Sequence, residues 1–108
     1  MSSMRQNVFY HAIYRTPEKV PPAGGLMCDE ATSGPPRTVL WNHLNRAWEY
    51  NRRVGARFLF DEEARERKTV VSRSEAERIA REELGTELPT EAEIHQIVLA
   101  GEAALPSS

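Results

Sequence analysis

Five of the seven prolines and three of the six glycines of this 108-residue chain fall between Thr16 and Arg37. Proline removes a backbone donor and fixes φ, so neither a helix nor a ladder strand is expected to run through such a stretch. The segment therefore reads as one long loop, residues 16–37, joining a short N-terminal element to a larger body. Connections beyond about 12–15 residues are uncommon in compact domains unless they carry function or act as linkers. At its centre stands an apolar run, Gly25-Leu26-Met27-Cys28, which reads either as packing back on the body or as a contact offered to a partner through Leu26 and Met27.

Upstream, Val8, Tyr10, Ala12 and Tyr14 alternate with Phe9, His11, Ile13 and Arg15, a β-branched and aromatic pattern that predicts a strand. Downstream, Leu40, Trp41, Leu44, Ala47, Trp48 and Asn51 recur at helical spacing behind a Thr38 cap, predicting a central amphipathic helix. Ala56–Asp61 and Lys68–Val71 read as a short β-hairpin, with a helix over 60–67 as the competing reading. Ser72 with Glu75 and Thr90 with Glu93 each have capping-box spacing, and Gly85 lies where the first of these two helices must stop. Their apolar stripes are Ala76, Ile79, Ala80 and Leu84, then Ile94, Ile97 and Val98. The sum is a single small α+β domain over 1–108, with a C-terminal antiparallel helix pair and a frayed tail at 105–108. An all-α fold is the alternative if Phe58–Val71 is helical.

The formal charge of -2 argues against a general nucleic-acid coat or a polybasic membrane binder. It conceals a polarity: residues 1–54 sum to +3 and residues 55–108 to -5, with no base after Glu82. The lone cysteine and the polar first residues fit a reducing compartment, so a cytoplasmic location is expected, with no membrane span.

Little of the sequence carries chemistry. His11, Cys28, His43 and His95 are single and lack metal-ligand spacing, so neither a metal nor another cofactor is expected. Asp29 and Glu30 follow Cys28 directly, and their charge disfavours a thiolate nucleophile. The helix pair around Gly85 is not a DNA reader, because its second helix carries Glu91 and Glu93 and no base near its start. These observations predict a non-catalytic protein that binds another protein, as a regulator, inhibitor or accessory subunit. Leu26 and Met27, with Glu87, Glu91 and Glu93 as an acidic surface, are the expected contact residues. The alternative is a nucleic-acid-binding module that uses Arg46, Arg52, Arg53 and Arg57 around the central helix. A homo-oligomer is also expected to be possible, since a small core gains from added burial.

Overall fold

A computed structural model describes residues 8–31 and 37–104. Five strands form one antiparallel sheet: β1 (Val8–Ile13), β2 (Gly25–Glu30), β3 (Arg37–Asn42), β4 (Ala47–Tyr50) and β5 (Lys68–Val71), in the order β4-β3-β2-β1-β5. The helices are α1 (Arg52–Phe60), α2 (Glu62–Arg65), α3 (Arg73–Ile79), which runs on through a π turn at Ala80–Leu84, and α4 (Glu91–Ala103). The fold is α+β, and the all-α alternative is excluded. No helix among the described residues is long and apolar enough to cross a membrane.

The expected 16–37 loop contains the central strand of the sheet. Gly25 through Asp29 are all buried, and Leu26 and Met27 are 0% and 1% exposed. A strand covered on both faces reads as a continuous apolar run rather than an alternation, and the flanking prolines and glycines mark its ends. Leu26 and Met27 are therefore core residues and offer no surface to a partner.

The expected central helix is instead the β3–β4 hairpin. Trp41 and Trp48 face each other across the strands with ring centroids 5.4 Å apart. A spacing of seven residues is two helical turns, but it is also the separation of a cross-strand pair flanking a short turn. Asn42 decides between them locally: its Oδ1 accepts from the Leu44 and Asn45 amides, which closes the turn. Asn42 and Asn45 then donate their side-chain amides to Glu49 on the returning strand.

Asn51 was placed by the helical pattern inside an apolar stripe. It is the cap of α1, its side chain accepting from the Val54 amide at 3.0 Å. The segment expected as the first hairpin strand, Ala56–Asp61, is thus helical through Phe60, with Val54 and Phe58 packing on Met27 and Leu40. Lys68–Val71 is a strand as expected, but it pairs with β1. The C-terminal helix pair stands as the sequence predicted. Ser72 caps α3, Gly85 takes the left-handed conformation at φ 70°, and Thr90 with Glu93 forms a full capping box.

One sheet face carries Tyr10, Ala12, Leu26, Cys28, Val39 and Trp41 against Ala76, Ile79, Ala80, Leu84, Ile94 and Val98 of α3 and α4. Two further contacts fix these helices. The Arg73 guanidinium donates to the Tyr10 hydroxyl at 2.7 Å and to the Pro89 carbonyl at 3.1 Å. Glu83 accepts from the Ala23 amide at 2.6 Å. The other face is covered only over its middle, where α1 and α2 bury Met27, Phe58 and Ala64.

Candidate functional site

The partly covered face holds a row of buried polar side chains. Strand alternation puts His11, Asp29 and Thr38 on this face, and the β2–β3 register sets Asp29 opposite Thr38. The Thr38 hydroxyl donates to Asp29 Oδ1 at 2.6 Å. His11 Nδ1 lies 3.5 Å from Asp29 Oδ2, within ion-pair contact but without hydrogen-bond geometry, and it is a buried nitrogen with no bonding partner. Buried polar atoms are nearly always paired, so His11 marks a place where the interior is incompletely satisfied.

Burial holds the His11 pKa below the ordinary 6.5, with the nearby Lys68 charge acting in the same direction and Asp29 opposing. Because the folded protein resists the proton that the unfolded chain accepts near 6.5, stability from this group is complete above that pH. It is lost as the pH falls from 6.5 through the lower folded value. Urea unfolding at about pH 7.5 and about pH 5.5 is expected to show a fall in stability that His11→Gln reduces; an equal fall in both proteins would refute the assignment.

Beside this row the face is open. Phe9, two residues before His11, is 51% exposed, and Val70, the β5 residue opposite His11, is 68% exposed. On antiparallel neighbours such a diagonal pair lies within reach of one another, so the two form an apolar strip. The strip borders the outer edge of β5, beyond which the sheet has no further strand among the described residues.

A concavity of about 300 Å³ lies where the β3–β4 turn approaches the start of α1, lined by Leu40, Trp41, Asn42, His43, Glu49 and Asn51 among others. Its polar groups are mutually engaged. His43 Nδ1 accepts from the Trp41 indole at 3.2 Å and its Nε2 donates to the Gly24 carbonyl at 3.1 Å. The two asparagine amides bonded to Glu49 hold its carboxyl below the usual range.

The expected arginines are partly gathered here. Arg46 sits in the turn at φ 52° with its guanidinium 5.9 Å from the Trp41 ring centre. Arg52 and Arg53 open α1, whose first turn has no acid, and Arg57 pairs with Asp61 at 3.8 Å. All four are exposed, whereas Trp41 is 5% exposed and cannot present a stacking face.

The expected acidic residues lie at or near the surface, Glu87 and Glu93 exposed and Glu91 half-buried. Glu93 accepts from the Thr90 amide in the capping box, Glu87 lies 4.0 Å from Arg81, and Glu91 is near Tyr10. Three neighbouring acids, Glu75, Glu82 and Glu83, all bond Arg78. Cys28 is fully buried, and its thiol is pushed up to about 12, first by burial and then by the Asp29 charge. It is a core side chain and not a nucleophile. Among the described residues no three His, Cys, Asp or Glu side chains are grouped to hold a metal ion.

The sequence pattern missed the His11–Asp29–Thr38 row and the Phe9–Val70 strip, because both join residues of separate strands. The one available signal was a carboxylate directly after an apolar run, at Asp29. No family model, curated protein or solved structure matches the chain.

Proposed function

We propose that the protein acts by binding another protein, and that the contact surface is the uncovered end of the sheet around Phe9 and Val70. The observation that carries this reading is the pair of large apolar side chains standing exposed beside an open strand edge, on a face whose middle is covered by α1 and α2. An edge strand with apolar neighbours is a template for a further strand, main-chain bonds giving affinity and the alternate side chains specificity. Leu26 and Met27, being core, take no part.

Photo-crosslinking in cells tests the reading. A benzophenone side chain replacing Phe9 is expected to capture a discrete protein adduct, and the same group replacing Arg81, on the α3 side, is not. Absence of an adduct at position 9, or equal capture at both positions, overturns it. The same probe in place of Arg53 reports on the alternative, in which the exposed arginines of α1 and the β3–β4 turn hold nucleic-acid phosphates: it would capture nucleic acid there.

A further inference from the structure

We infer that the partner at this edge is a second copy of the chain, β5 pairing antiparallel with β5 so that two five-stranded sheets become one. The inference rests on the reading of the Phe9–Val70 strip as a protein contact and names its occupant.

The argument is one of register. A two-fold axis perpendicular to a sheet maps each face onto itself, so an antiparallel β5–β5 pair must centre on a residue that meets its own copy. Centred on Val70, the exposed valine faces Val70 of the partner subunit on the open face. Thr69 then lies opposite the partner's Val71, and Lys68 opposite the partner's Ser72. Between Lys68 and Ser72 no two like charges are opposed; the next pair outward sets Arg67 against the partner's Arg73, beyond the ends of the strand. Sliding by two residues one way sets Val70 against the partner's Lys68, and the other way sets it against the partner's Ser72. Sliding by one residue turns every side chain to the wrong face. Of these registers, only the Val70-centred one joins the exposed apolar groups.

Two other features agree. Continuing the β1–β5 register sets Phe9 beside Ser72, and so in the row of the partner's Lys68, about 10 Å away across two strand spacings. A lysine stem spans that gap, covers the ring and keeps its ammonium in water. On the helical side, the main sheet contact of α3 is with β1, one strand in from the edge. Lysine on an edge strand commonly discourages pairing. Here it lies at the strand's end and meets a serine.

Sedimentation velocity on the full chain is expected to show a concentration-dependent dimer, and Val70→Lys, a change at an exposed position, to weaken association at least about tenfold. Val70→Cys is expected to form a covalent dimer with a short bismaleimide crosslinker, because directly opposed strand residues bring their Cβ atoms within about 5.5 Å of each other. Leu99→Cys, equally on the surface but on α4, is expected not to, and the buried Cys28 stays silent. A chain monomeric at every concentration, or a dimer indifferent to Val70→Lys and uncrosslinked through Val70→Cys, overturns the inference. A monomeric chain that still captures a different protein through position 9 sinks the dimer and leaves the proposed function standing.

Discussion

Gly101→Ala is expected to destabilise the protein by about 1–3 kcal/mol, although alanine is the better helix former by about 1 kcal/mol. Gly101 lies on the face of α4 turned to β4, and a Cβ built there would fall 2.4–2.6 Å from Cβ, Cγ and Cδ2 of Tyr50. Those atoms are the root of the side chain and cannot swing aside as the end of a lysine could. The ring is also fixed at its far end, where the Tyr50 hydroxyl donates to Glu102 at 2.5 Å. Burial and that carboxylate push the hydroxyl up to about 12, so the bond persists through the neutral range. Relief therefore requires α4 to move off the sheet, which separates Ile94 and Val98 from the core they fill. Gly101→Val should cost more than Gly101→Ala, and in a Tyr50→Ala background the penalty of Gly101→Ala should largely vanish, a coupling readable from a double-mutant cycle in urea. A Gly101→Ala protein as stable as the parent would show that the helix is not held at this separation.

The elements legible in the sequence are those fixed by local chemistry. Ser72, Gly85 and Thr90 announce helix ends through bonds within a few residues, and the alternation from Val8 to Ile13 needs only its own pattern. Elements specified by their neighbours were not. The run Gly25-Leu26-Met27-Cys28 is a strand because β1 and β3 flank it and helices cover both faces. Trp41 and Trp48 satisfy the helical and the hairpin period equally, and the Asn42 turn bonds settle the matter. The candidate surface is harder still, since His11, Asp29 and Val70 converge from three strands far apart in the chain. Charge polarity was legible in amount but not in use: the C-terminal glutamates exceed the bases, yet Arg78 alone bonds three of them.

Two leucines put the revised architecture to its sharpest test. Leu26→Ala is expected to cost about 2–5 kcal/mol, the range for emptying a packed aliphatic site, and Leu44→Ala less than about 0.5 kcal/mol. Leu26 is fully buried in β2, opposite Ala12 of β1, in the cluster closed by Ile79 and Val98; a smaller residue leaves a void that small neighbours such as Ala12 and Ala76 cannot fill. Leu44 is 94% exposed in the β3–β4 turn, where only its amide is engaged, bonded to Asn42. The sequence pattern puts Leu26 on a loop and Leu44 on the buried stripe of a helix. Urea midpoints of the two variants thus separate the two architectures with a single kind of substitution. If Leu44→Ala were the costlier, the β3–β4 hairpin and the central position of β2 would both fall. If Leu26→Ala is the costlier, as the packing requires, any loss of partner capture in that variant reports unfolding, and a contact test belongs at Phe9 and Val70, where side chains can change while the core stays intact.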